Sequence, residues 1–148
     1  MRFFDRYAGI PVICFLSLLK RANHVPEGFN RGNVAKNILD LTGKTTLEQT
    51  AAVMKKCNVI VTHDSGPMHL ASAVGVPVIS IFGPTDPREY YPLSPNSHYF
   101  WNVENIKCAP CYEDGRFPDC NAPICMKAVT VKQVYEKVKD IIGMRGLD

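Results

Sequence analysis

At 148 residues the chain is long enough to build one domain with its own core, so it need not depend on disulfides. Hydrophobic residues make up 46% and charged residues 21%, the balance of a soluble globular protein. The net charge of +3 comes from 17 basic and 14 acidic residues spread along the chain; with no basic block, a nucleic-acid face is excluded, while an anionic small ligand or an anionic membrane surface is permitted.

The chain starts with Arg2 and Arg6, an apolar run over residues 10–19, and then Lys20 and Arg21. A membrane-spanning helix needs about 20 apolar residues, more than this run supplies. No small-residue cleavage site follows, so a secretory signal is not indicated. Residues 1–21 read as a buried helix or an N-terminal leader. Its basic flanks permit peripheral contact with the inner membrane leaflet, and a cytoplasmic location is the default. Residues 22–36 are polar, carry Pro26, Gly28 and Gly32, and read as a linker.

Residues 37–148 read as one organised domain. Residues 38–41 form a short apolar run expected as a strand. Thr45 with Glu48 makes a capping box for a helix that stacks Leu47, Ala51 and Met54 on one face. Residues 59–62 are apolar and β-branched, the signature of a strand buried on both faces. Asp64-Ser65-Gly66-Pro67 opens a second helix, capped by Ser65 or Gly66 and ended by Gly75. Residues 77–82 are the next buried strand. A long irregular stretch over residues 84–128 follows. Thr130 and Gln133 then form another capping box for a final helix burying Val131, Val134, Val138 and Ile141 and closed by Gly143. The class is α/β, a right-handed doubly wound parallel sheet with flanking helices.

Ligands of such sheets bind beyond the carboxyl ends of the strands. The segment Thr62-His63-Asp64-Ser65-Gly66-Pro67-Met68-His69 lies at that edge. Free amides and the helix dipole there favour a phosphate or diphosphate, and Gly66 admits it close to the backbone. Asp64 is placed to accept hydrogen bonds from sugar hydroxyls, and His69 stands one turn into the helix. The plain alternatives are that Asp64 and Ser65 only cap the helix and that His69 is a half-buried packing residue. A hydrolytic triad is excluded for His63-Asp64-Ser65, because consecutive side chains diverge. At the same edge, Gly83 and Pro84 make a turn that brings Thr85 and Asp86 to the ligand, or is simply a turn.

Three stretches together resemble glycosyltransferase family 9, the heptosyltransferases of lipopolysaccharide assembly. They are Asp40-Leu41-Thr42-Gly43-Lys44-Thr45-Thr46-Leu47, the run from Val61 through Asp64-Ser65-Gly66-Pro67-Met68-His69 to Ala71, and the run from Val76 through Phe82-Gly83-Pro84-Thr85-Asp86-Pro87. The resemblance runs from about residue 37 to the last helix. It implies a GT-B enzyme with two Rossmann-like halves, of which this chain carries the C-terminal, nucleotide-sugar-binding one as a partial sheet. It further implies an ADP-heptose-like donor, a lipopolysaccharide core acceptor, inversion at the anomeric carbon, and no cofactor or metal for transfer. Carried onto this sequence, Asp64 holds the donor sugar. Ser65, Gly66 and Met68 offer amides to the diphosphate around Pro67, and His69 lies beside it. The catalytic base belongs to the N-terminal half, so no catalytic residue is identified here. Family members are usually much longer, and the chain is expected to be truncated and catalytically incomplete on its own.

Cys108, Cys111, Cys120 and Cys125 follow C-x2-C-x8-C-x4-C. Four thiolates are enough for a structural zinc, although this spacing is not a usual one. Unligated thiols and disulfides are the other readings, the latter disfavoured in a reducing compartment. The competing view of the whole chain is a non-catalytic interaction module, its loop 108–125 held by those cysteines, or a decayed fragment with an exposed sheet edge.

Overall fold

The computed structural model describes residues 13–16, 41, 43–113 and 115–143. Four strands, β1 (Ile13–Leu16), β2 (Val59–His63), β3 (Val78–Ile81) and β4 (His98–Phe100), form one sheet in the order β1-β2-β3-β4. All three pairings are parallel, with Cys14 opposite Ile60, Val61 opposite Ile79 and Ser80 opposite Tyr99. The helices are α1 (Leu47–Met54), α2 (Gly66–Ala73), the short α3 (Pro87–Tyr90) and α4 (Ile124–Lys127), and α5 (Val131–Ile141).

The first strand is a correction to the sequence reading. Part of the apolar run taken as a leader or helix pairs with β2 instead, giving its backbone amides and carbonyls partners that a helix would have supplied internally. The rest of residues 1–21, the linker 22–36 and most of the expected strand at 38–41 lie outside the described residues. Leu41 itself is in no strand and accepts a 3.0 Å hydrogen bond from Lys44 in a turn.

Period-two alternation divides the buried strands between two cores. Ile60 and Val78 face Met54, Met68, Ala71, Val76 and Phe82, on the side covered by α1 and α2. Val59, Val61 and Ile79 face Val138, with Phe100, Val134 and Ile141 packed around it, on the side covered by α5. A strand with apolar neighbours above and below reads as an unbroken apolar run, as β2 and β3 do. Among the described residues no helix is long and apolar enough to cross a membrane.

Two helix faces are narrower than their spacing suggested. Leu47 is 68% exposed and Val131 87% exposed. Both stand in the first turn of their helix, where the chain has only begun to approach the sheet. Burial is reached further along, at Met54 and Val138. The cap of α1 also sits one residue later than expected. Thr46, not Thr45, accepts from the Gln49 amide at 3.3 Å, and the Gln49 side chain accepts from the Thr46 amide at 2.9 Å. The Thr45 hydroxyl pairs with that of Thr50. The Thr130–Gln133 box forms as expected, and Gly75 closes α2 at φ +79°, a conformation open to glycine without strain.

Thr46→Ala is therefore expected to destabilise the chain by about 1 kcal/mol, and Thr45→Ala by clearly less, in urea unfolding. A second expectation concerns His98, whose imidazole is pushed below its ordinary range by burial and then by Lys137. The folded chain resists the proton that the unfolded chain accepts near pH 6.5, so stability from this residue is present above that pH and lost below it. The fall in Tm between pH 7 and pH 5 should be smaller in His98→Phe than in the parent chain.

Candidate nucleotide-sugar site at the carboxyl edge

Because β2 and β3 are parallel neighbours, the loops that follow them emerge side by side at one edge. The ladder extends one residue past β2, where the Asp64 amide donates to the Ile81 carbonyl at 3.3 Å. Ser65 is fully extended and is the N-cap of α2, but its side chain does not cap. Its Oγ instead donates to the His63 carbonyl at 3.1 Å. The amides of Ser65 and Gly66 have no partner among the described residues, and Pro67 has no N–H to offer. Unclaimed donors at the start of an eight-residue helix are what an anion needs.

The sequence-derived residues separate on this geometry. Asp64 is half-buried at the strand end and forms no side-chain cap, so its carboxylate is not spent on the helix. His69 is exposed rather than packed. Met68 is a correction: its amide already donates to the Ser65 carbonyl at 2.9 Å, and its side chain is fully buried. Pro67 is buried as well and shapes the helix start.

After β3, Thr85 is buried with an unpartnered Oγ1. Asp86 caps α3 by accepting from the Arg88 amide at 2.9 Å, and it also forms a forked ion pair with the Arg88 guanidinium. That contact holds the Asp86 carboxyl below its usual range, so it is ionised but already partnered.

Sequence reasoning missed the floor of this edge. The loop bearing the cysteines folds back onto the Gly83–Pro84 turn, where the amides of Cys111 and Tyr112 both donate to the Pro84 carbonyl, at 2.8 and 3.0 Å. The Trp101 indole donates to the Gly83 carbonyl at 3.2 Å. A side chain at position 83 would meet the Met126 sulfur at 2.4 Å and the Cys125 sulfur at 3.2 Å, so anything larger than glycine there makes these side chains shift. Between α3 and the folded-back loop lies a cavity of ≈ 330 Å³ lined by Asp86, Glu89, Tyr90, Pro110, Tyr112 and Gly115. The Tyr90 phenol is pushed above its ordinary range, first by burial, then by Glu89, Tyr112 and Asp64.

The four clustered cysteines are free thiols, which removes the disulfide reading. Among the described residues no group of three or more His, Cys, Asp or Glu is arranged to hold a metal ion, so the expected zinc site finds no support. Cys125 is buried against the Gly83 turn, while Cys108 and Cys120 are exposed. Burial, then the neighbouring thiols, pushes the Cys111 thiol up and keeps it protonated at neutral pH.

Residues 11–120 match the sequence model of Glycosyltransferase family 9 (heptosyltransferase). The chain belongs to glycosyltransferase family 9. The match begins well ahead of residue 37, so β1 belongs to the family domain. Lipooligosaccharide heptosyltransferase 2 of Campylobacter jejuni serotype O:2 is 30% identical over 116 residues, covering 71% of this chain and 32% of the relative. The enzyme of the same name from Haemophilus influenzae is 45% identical over 56 residues, 38% of this chain and 16% of the relative. The solved structure of E. coli ADP-heptose lps heptosyltransferase II superposes with a TM-score of 0.55 at 25% identity, covering 70% of this chain and 27% of that one. This family 9 chain therefore spans about a third or less of the length of these relatives.

Gly83→Ala is expected to cost about 1–3 kcal/mol through overpacking. In a double-mutant cycle the same substitution should cost less once Met126→Ala has cleared the space, and equal costs in both backgrounds would refute the contact.

Proposed function

We propose that this family 9 chain binds the diphosphate of a nucleotide-sugar donor at the N-terminus of α2, for transfer of a heptose-like sugar to a lipopolysaccharide acceptor. The observation that carries the reading is that the Ser65 and Gly66 amides meet no acceptor among the described residues, at the positive end of the helix. Asp64, beside them and free of the cap, receives hydroxyls of the donor sugar. His69 stands one turn on and is open to the same anion. Thr85 and Asp86 border the site from the neighbouring loop, Asp86 chiefly by fixing α3.

The chemistry asked of these groups is electrostatic. As the glycosidic bond breaks, negative charge grows on the departing diphosphate, and amides already oriented toward it stabilise that charge without reorganising. This requires no metal at the diphosphate. An ADP-heptose-class donor accords with the name of the superposed E. coli enzyme, and a cytoplasmic location with peripheral contact at the inner membrane accords with such an acceptor. The alternative of a non-catalytic interaction module is not favoured, since the family match extends from β1 into the cysteine-bearing loop.

Thermal unfolding with added ADP and ADP-heptose tests the reading. A ligand at about 100 times its Kd adds about 2.7 kcal/mol of stability, and a clear rise in Tm is expected with both. Ser65→Ala should leave both shifts nearly intact, because the residue contributes its backbone, while Asp64→Ala should reduce the ADP-heptose shift. Absence of any shift with either ligand would reject the proposed site.

A further inference from the structure

We propose that Cys108 and Cys111 form a redox-active dithiol, which a low-molecular-weight disulfide bearing carboxylates oxidises to a disulfide within the loop. The proposal stands independently of the diphosphate reading. Cys108-Ala109-Pro110-Cys111 sets two thiols on one short bend of chain, and where structural disulfides are disfavoured such a pair serves exchange rather than stapling. Both thiols are reduced in the structure and differ in access, Cys108 being exposed and Cys111 half-buried. The backbone holds the pair from both sides. The Ala109 amide donates to the Ile106 carbonyl at 3.2 Å, closing a turn that carries Cys108, and the Cys111 amide donates to the Pro84 carbonyl at 2.8 Å. Closing a ring between the sulfurs therefore orders little chain that is not ordered already. Beside Cys111 opens a groove of ≈ 570 Å³ lined also by Glu113, Arg116, Phe117 and Pro118. It gives a peptide-sized oxidant room at the dithiol, and the Arg116 guanidinium supplies the charge that a carboxylate seeks. Cys125, buried against the Gly83 turn, is out of such an oxidant's reach.

The steps balance. Cys108 loses its proton to water and attacks one sulfur of the small disulfide, and the other sulfur leaves as a thiolate that takes up a proton. Cys111 then loses its proton and attacks the Cys108 sulfur of the mixed disulfide, expelling the second small thiol. The two cysteine sulfurs are oxidised to one disulfide while the small disulfide is reduced to two thiols. The order follows from access and from charge. Burial, then the neighbouring thiols, keeps Cys111 protonated, so it reacts once Cys108 has brought the mixed disulfide beside it.

Tryptic cleavage after Lys107 and Arg116 puts Cys108 and Cys111 in one peptide, 108–116, and Cys120 and Cys125 in the next, 117–127. The whole chain is incubated with glutathione disulfide, alkylated, digested and weighed. Peptide 108–116 is expected to lose two hydrogens and take no alkyl group, while 117–127 is alkylated at both cysteines. Cys111→Ser should stop with glutathione attached to Cys108, and Cys108→Ser should leave Cys111 open to alkylation at the same oxidant concentration. Arg116→Ala should slow thiol release from glutathione disulfide about threefold, the scale of an exposed ion pair, and leave release from uncharged hydroxyethyl disulfide unchanged. Equal slowing with both oxidants, or none, would overturn the carboxylate contact. Full alkylation of 108–116 in the parent chain, or a disulfide joining it to 117–127, would overturn the dithiol.

Discussion

Removal of Ile60, Val61, Val78 and Ile79 from water on both sides of the sheet is the constraint from which the rest follows. Strands buried on two faces need their backbone groups paired within the sheet and a helical layer above and below. Parallel pairing meets both needs, because crossovers lay α1 and α2 on one face and α5, after the last strand, covers the other. The same arrangement sends β2 and β3 out at one edge, and the loops that follow them have nowhere else to go. Chemistry at that edge is a by-product of how the core is covered.

Within the edge, small choices of hydrogen bond separate structural residues from available ones. A serine at an N-cap normally spends its hydroxyl on the helix. Here Ser65 donates it to the strand it has just left, and the Gly66 amide at the helix start has no acceptor among the described residues. Asp86 does the reverse, closing its helix and holding Arg88, which makes it a builder of the site more than a ligand-binding group. Two acidic residues in similar-looking turns, Asp64 and Asp86, thus have different freedom, and the difference lies in their partners.

Much of this was legible in the letters. The β-branched run at 59–62, the proline-started helix and the glycine stop at 75 each reflect a local preference that the tertiary structure does not oppose. The strand at Ile13–Leu16 was not legible in that way. A short apolar run without turn signals fits a helix or a strand equally, and only a partner 46 residues away, Val59 opposite Ile13, decides it. The one-residue shift from Thr45 to Thr46 has a similar origin. Adjacent threonines, followed by Glu48 and Gln49, offer two equivalent boxes, and the backbone direction entering α1 selects one. The Asp64–Gly66 segment was readable as a candidate anion site because its logic is local. The cavity beside it was invisible, since Tyr90 and Tyr112 meet only after the cysteine-bearing loop has turned back on Pro84. The cysteine spacing suggested a metal by arithmetic, but the fold turns one thiol inward and leaves others at the surface.

The doubled acceptance by the Pro84 carbonyl has an evolutionary corollary. Both bonds to it come from main-chain amides, so the anchorage depends on the path of the polymer and not on which residues occupy positions 111 and 112. Side chains there are released to drift while their placement at the rim is kept by geometry. A fold with that kind of mooring is able to exchange one recognition surface for another without relearning how to assemble.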